Sequence, residues 1–168
     1  MAGLIVPKYI WLTTGVGKWT NEDTARELAK RDAGIGHLDV TVATGITNTQ
    51  FDFVDKDRFF RILNGTNKVY MIGEVQVVPP GESIYGDISA LSHGGWGALS
   101  FFVSYIPRRS NLPMSKKELI REYEHVRKGE SPDPTTLSID TATSPKVTGS
   151  LRNNHNASYR GLVLAAII

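Results

Sequence analysis

Short runs rich in valine, isoleucine and threonine recur along this chain, and breaks rich in glycine, proline, asparagine and serine separate them. Such runs favour β-strands, because branched and aromatic side chains fit a pleated, half-buried surface. We predict strands at 9–13, 37–44, 68–78, 83–89, 97–106, 136–143 and 159–168. Connections between them are mostly short, so the sequence favours antiparallel sheet.

Two segments have a helical pattern. In the first, Thr20 is the expected N-cap and the helix runs to Gly34. The second covers 115–129, where Ser115 and Glu118 have the spacing of a capping box. Its apolar side chains recur at helical spacing, at Leu119, Tyr123 and Val126. Many strands and two helices in this order predict the α+β class, with antiparallel sheet covered by two helices.

The composition describes an ordinary globular chain and excludes several functions. The 168 residues suit one domain, residues 1–168. A net charge of +2 with scattered basic residues argues against nucleic-acid binding, and the absence of cysteine excludes disulfides and thiolate chemistry. The apolar N-terminal run lacks the basic region of a signal peptide, and the terminal GLVLAAII is too short to span a bilayer. We therefore expect a cytoplasmic protein without membrane contacts.

Two motifs that resemble ligand sites have simpler interpretations. GVGKW at 15–19 lacks the pattern of a phosphate-binding loop, and a turn between strand and helix accounts for both glycines. Asp52, Asp55 and Asp57 do not have the register of a calcium-binding loop. The four histidines also share no ligand spacing, so we predict no metal site.

Three residues are candidates for proton transfer. His93 lies in the glycine-rich stretch SHGGWG, beside Trp96, where a histidine can act as a general base. Asp39 lies in a largely apolar strand and needs a partner or a wet cavity. Glu27 is on the first helix, where a surface position is the default.

The order of the pieces resembles the pyruvoyl-dependent arginine decarboxylases. The similar segments are DAGIGHLDV at 32–40, VTVATGI at 40–46, PGESI at 80–84, SKKEL at 115–119 and GLVLAA at 161–166. The resemblance implies an αββα sandwich, and trimers whose sites lie between subunits. In that family a serine pair cleaves the chain, and the pyruvoyl group that forms accepts electrons during decarboxylation.

This chain departs from the family at the two places where the chemistry lies. Counted forward from AGIG without a gap, the serine pair falls on Thr44 and Gly45. Glycine has no hydroxyl, so no pyruvoyl group is expected and we predict no cofactor. The family's catalytic glutamate belongs to a Glu-Tyr-Glu segment on a strand, whereas 122–124 of this chain lies in the second predicted helix. If the strand at 97–106 is the counterpart, one of three apolar residues replaces the acid: Phe101, Phe102 or Val103.

These departures leave three hypotheses open. The first is an uncleaved homologue whose pocket carries out a cofactor-free cyclisation, isomerisation or elimination on a small, partly apolar ligand. Asp39, His93 and Glu27 would transfer protons in it. Its ligand-binding residues would be Thr44, Gly45, Trp96, Phe101 and Phe102. The second is a non-catalytic partner subunit, and the third a decarboxylase that cleaves at an unusual site such as Thr44 or Ser83.

Overall fold

The structure, a computed structural model of the chain, describes 2–5, 8–36, 38–46, 50–63, 68–78, 81–94, 96–104, 114–126, 138–143, 147–148 and 156–165. For part of these residues the description is limited to the backbone: 2–5, 39–40, 42, 44–46, 68, 73–77, 103–104, 147–148 and 156–165.

The described residues form three helices and ten strands. The helices are α1 (Glu22–Asp32), α2 (Lys56–Leu63) and α3 (Met114–Val126). The strands are β1 (Ala2–Ile5), β2 (Tyr9–Trp19), β3 (Asp39–Ile46), β4 (Asp52–Phe53), β5 (Lys68–Val78), β6 (Ser83–His93), β7 (Trp96–Ser104), β8 (Ser138–Thr143), β9 (Val147–Thr148) and β10 (Asn156–Ala165).

The strands form two sheets. In the six-stranded sheet the order is β1-β3-β5-β10-β2-β4, and β10 runs antiparallel to both of its neighbours. The pairs of β3 with β1 and β5, and of β2 with β4, are parallel. In the four-stranded sheet β6 pairs antiparallel with β7, β8 and β9. The fold is thus mixed α and β with antiparallel sheet, which is compatible with the predicted class, although the parallel pairs were not anticipated.

Helix α1 lies directly on β2 because glycines face it. A Cβ atom at Gly15 would stand 2.1 Å from the carbonyl oxygen of Ala29, and one at Gly17 would stand 1.9 Å from that of Ala25. No side chain fits at such distances. The prediction that a turn explains both glycines is therefore wrong, because β2 continues through GVGKW to Trp19. The two glycines instead allow the backbone of α1 to approach the strand closely.

Helix α1 starts one residue later and ends two residues earlier than predicted. Asn21, and not Thr20, is the N-cap, and its side-chain oxygen accepts hydrogen bonds from the backbone N–H groups of Asp23 and Thr24. The helix ends at Asp32, and Gly34 follows with φ of +90°. Asp32 accepts a hydrogen bond from the N–H of Val16 on β2 at 2.9 Å, which ties the end of the helix to that strand.

Helix α2 lies between the strands predicted at 37–44 and 68–78, in a segment for which the sequence predicted no helix. The carboxylate of Asp55 accepts a hydrogen bond from the N–H of Arg58 at 2.8 Å, and this starts the helix. Phe59 and Leu63, one turn apart, are buried in a cluster with Trp11. The helix is only eight residues long, too short for a clear periodic signal, and the packing of its apolar side chains in this cluster stabilises it.

The apolar faces of the two sheets meet in one core cluster. Ile10 and Leu12 of β2 pack with Ile88 and Ala90 of β6. The N–H of Phe51 also donates a hydrogen bond to the hydroxyl of Ser92 on β6, at 3.2 Å. Helices lie on the other faces, since α1 contacts β2 and β10 while α3 contacts β6 and β7.

Candidate functional site

Helix α3 covers the face of β6 and β7 that points away from this core. Successive strand side chains point to opposite faces. On β6, Leu91 therefore faces the helix, whereas Ile88 and Ala90 face the other sheet. Leu91, Leu119 and Tyr123 form a small buried cluster that holds α3 on the sheet. The predicted apolar face of this helix is confirmed for Leu119 and Tyr123, which are buried, but not for Val126, which is 56% exposed.

A buried polar network connects the start of α3 to β6. Asp87, 1% exposed, accepts hydrogen bonds from the backbone N–H of Ser115, at 3.1 Å, and from its hydroxyl. The hydroxyls of Ser115 and Ser89 are 2.8 Å apart, and Ser89 is 2.8 Å from that of Thr141 on β8. Because the carboxylate only accepts, the bonds run from Thr141 through Ser89 and Ser115 to Asp87. This network holds the helix on the sheet, and all of its members except the partly buried Thr141 are buried.

The predicted pair of Ser115 and Glu118 therefore has a different role from a capping box. Ser115 lies inside the helix and is itself bound by Asp87 from a neighbouring strand. The carboxylate of Glu118 turns towards the sheet and accepts a hydrogen bond from Ser100 of β7 at 2.8 Å. The prediction of a helix start was right, but the partners of both side chains come from tertiary contacts.

Towards the C-terminal end of α3, the side chains of His93 and Trp96 both contact Tyr123. The Nδ1 atom of His93 lies 2.5 Å from the hydroxyl of Tyr123, and the two rings meet edge to face with centroids 5.1 Å apart. Trp96 contacts the same tyrosine ring, with centroids 5.7 Å apart. His93 and Trp96 are opposite each other in the β6–β7 ladder, and Gly94 between them has φ of +55°. The stretch around His93 and Trp96 thus joins β6 and β7 as a hairpin.

An open cavity of about 650 Å³ lies beside this aromatic group, and we call it the α3 groove. Trp96 and Ala98 of β7 form one wall, and α3 forms the other. The helix contributes Glu118, Arg121, Glu122, His125 and Val126. Glu118 and Glu122 are one turn apart, so both carboxylates are on the same helix face as the groove. An indole and two carboxylates around one cavity suit a small organic cation with an apolar part, and Arg121 suits an anionic group on the same ligand.

The structure separates the other predicted site residues from this groove. Glu27 is exposed on α1, where its carboxylate pairs with Lys30 at 3.2 Å. Phe101 packs into the core between the sheets, and Phe102 lies opposite Asp87 in the β6–β7 ladder. The residues His93, Glu27 and Phe101 therefore do not lie together in one site.

Three further candidates are on β3 and their side chains lie outside the described part of the structure: Asp39, Thr44 and Gly45. By backbone register Asp39 is opposite Lys68 of β5, and Gly45 is opposite Leu4 of β1. The strand continues through Thr44 and Gly45 to Ile46, two residues beyond its predicted end.

The sequence did not predict the polar residues of the α3 groove. Glu118 was assigned to helix capping, Glu122 was considered only as part of a Glu-Tyr-Glu segment, and Arg121 was not considered. The four-residue spacing of the two glutamates on a helix next to an aromatic hairpin was the available signal. This spacing also occurs among glutamates on an exposed helix surface, and only the position of Trp96 in the structure distinguishes the two cases.

Among the described residues no group of three or more histidine, aspartate or glutamate side chains has the arrangement of a metal site. Within the same part of the chain, no helix combines the length and the apolar character needed to cross a membrane. Comparisons of the chain with protein-family models and with curated proteins gave no match.

Proposed function

We propose that this protein binds a small, partly apolar amine in the α3 groove and carries out a cofactor-free acid/base reaction on it. It would do so as an uncleaved relative of the pyruvoyl-dependent arginine decarboxylases. The observation that carries the proposal is the carboxylate of Glu118, oriented by Ser100 at 2.8 Å in a cavity whose opposite wall is Trp96.

The groove supplies the contacts that an amine with an apolar body requires. A carboxylate forms charge-assisted hydrogen bonds with an ammonium group, and an indole face attracts the same cation. Ala98 and Val126 supply apolar contact area. Arg121 is available to a carboxylate of the ligand, which extends the ligand class to amino acids.

Glu118 is the proposed proton-transfer group. It is in the cavity, it has a fixed partner, and it is within reach of a bound ligand. His125 also lines the cavity and is the proposed partner acid. Cyclisation, isomerisation and elimination need only such a pair, whereas decarboxylation of an amino acid needs an electron sink. The position of Gly45 supports the view that this chain makes none.

Two structural parts of the proposal rest on the family resemblance. We infer that the contact between the two sheets makes an αββα sandwich, with α1 and α3 on its outer sides. We also infer a homotrimer with the groove at the subunit interface, and Val126, 56% exposed at the edge of the groove, supports this. Sedimentation of the wild type and of Val126→Asp tests the trimer, since a charge there would dissociate it.

The first experiment is the intact mass of the denatured chain. A single species of 18.5 kDa is expected. Two fragments, the second blocked by a ketone, would instead mean that the chain processes itself, and arginine would become the first substrate to test. A second, serine-bearing chain that co-purifies in fixed ratio would favour the partner-subunit hypothesis.

Titration with phenethylamine, butylamine and arginine then tests the groove, with phenethyl alcohol as the uncharged control. Glu118→Gln should weaken phenethylamine binding by roughly tenfold or more, because it removes a charge-assisted contact. Glu27→Gln, the same chemical change on α1, is the matched control and should leave affinity unchanged. If Glu27→Gln abolishes binding and Glu118→Gln does not, the site is wrong. Amines that bind are incubated with the protein, and product formation is followed by NMR.

A further inference from the structure

A second cavity, of about 650 Å³, lies where the end of α1 meets the start of α2, and we call it the α1–α2 cavity. It is formed by Arg31 from the last turn of α1, by Gly34 and Gly36 just after that helix, and by Lys56 and Phe60 from α2. It shares no residue with the α3 groove.

Two glycines place the two cations at this cavity. A Cβ atom at Gly34 would stand 3.5 Å from both Cε and Nζ of Lys56, so the lysine stem lies along the glycine backbone. A Cβ atom at Gly36 would stand 2.5 Å from Cγ of Arg31, a distance that real side chains do not show. Any side chain at 36 would displace the arginine. The turn therefore holds the aliphatic parts of Arg31 and Lys56 against the glycine backbone. As a result, the guanidinium and the ammonium group both lie at this cavity.

The α1–α2 cavity carries two positive charges. Within the described part of the chain, Arg31 and Lys56 make no ion pair, and no acidic residue lines the cavity. Two of the neighbouring acids bind backbone N–H groups and do not line the cavity. Asp32 accepts a hydrogen bond from Val16, and Asp55 accepts one from Arg58.

We propose that the α1–α2 cavity binds a small oxyanion, a phosphate or a carboxylate, carried on an apolar body. The guanidinium of Arg31 presents a planar fork that matches either group, and Lys56 adds a second charge beside it. The ring of Phe60 forms an apolar wall and is held by edge contacts with Trp11 and Phe59, with centroids 5.9 Å and 5.6 Å apart. The wall favours a ligand with an aromatic or aliphatic part over the bare ion.

Titration of the full chain with phenyl phosphate, benzoate and inorganic phosphate tests the proposal, with benzyl alcohol as the uncharged control. Phenyl phosphate or benzoate should bind more tightly than inorganic phosphate, and benzyl alcohol should not bind. Arg31→Gln and Lys56→Gln should each weaken the binding by about tenfold or more, as expected for the loss of a charge-assisted hydrogen bond.

Arg61→Gln is the matched control, because it removes one positive charge from the same helix α2 at a residue outside the cavity. It should leave affinity unchanged, and Lys56→Arg should retain most of it. Circular dichroism establishes that every variant is folded. The proposal is overturned if neither organic anion binds at millimolar concentration. It is equally overturned if Arg61→Gln weakens binding as much as Arg31→Gln does, since that result means general attraction to a basic surface.

Discussion

The buried carboxylate of Asp87 on β6 accepts a hydrogen bond from the backbone N–H of Ser115, 3.1 Å away in the first turn of α3. A strand residue thus caps a helix that begins far along the chain. The same carboxylate ends the hydroxyl chain that runs through Ser89 and Ser115. The position of α3, and with it the α3 groove, depends on this contact.

Asp87→Asn should lower the free energy of unfolding by about 1–3 kcal/mol, because a buried acceptor of two hydrogen bonds is replaced by a group with unmatched donors. Urea denaturation measures the change. Asp57→Asn, on the exposed surface of α2, should change stability by less than about 0.5 kcal/mol. In a double-mutant cycle with Ser115→Ala the effects should be less than additive. Additive effects would mean that the two side chains do not interact.

Gly17→Ala should cost more than about 3 kcal/mol or prevent folding, because its Cβ atom would meet the backbone oxygen of Ala25, which cannot move without displacing α1. Thermal unfolding and expression level measure the effect. Thr14→Ala, on the same strand, is the control and should cost less than about 1 kcal/mol. A Gly17→Ala protein as stable as the wild type would contradict the close approach of α1 to β2.

Ser100→Ala should weaken phenethylamine binding by roughly threefold to tenfold, because Glu118 loses the partner that orients it. Ser100→Thr keeps a hydroxyl and should restore the affinity, which distinguishes orientation from a general loss of stability. Ser92→Ala makes the same change on β6, where the hydroxyl binds the N–H of Phe51, and should leave binding unaffected. Failure of threonine to rescue would argue against this role.

Tyr123→Phe should lower stability by about 1 kcal/mol through loss of the hydrogen bond to His93, and it should leave amine affinity unchanged. The tyrosine is buried behind Trp96 and does not line the α3 groove. Chemical unfolding and NMR resonances of the His93 ring report the two effects. If Tyr123→Phe or His93→Ala instead abolishes turnover at unchanged stability, His93 is the proton-transfer group that the sequence suggested.

The three helices show which features can be predicted from neighbouring residues in the sequence and which cannot. The interval 115–129 was predicted as a helix from its spacing of apolar residues, and α3 occupies most of it. Helix α2 was missed because its stability comes from burying Phe59 and Leu63 against Trp11, a residue on another element. The start of α1 was misplaced by one residue, since Thr20 and Asn21 are both good capping residues and only the backbone path selects one.

The candidate site was predictable in part. The stretch around His93 and Trp96 was identified from its glycines and its aromatic residue, and both side chains contact Tyr123 at the end of α3. Glu27 and Phe101 were assigned to the same site in the first hypothesis, yet one is exposed on α1 and the other is in the core between the sheets. Spacing along the chain does not tell which face of a strand meets which helix.

The sequence by itself determined the strand-rich character of the chain, the second predicted helix and the absence of cysteine chemistry. These properties depend on composition and on neighbours within one or two turns. Tertiary structure decided the parallel pairing of β3 and the close approach of α1 to Gly15 and Gly17. It also decided that Glu118 binds Ser100 and lines the same groove as Trp96. Each of these joins residues that are distant in sequence, and only the packed fold brings them within contact distance.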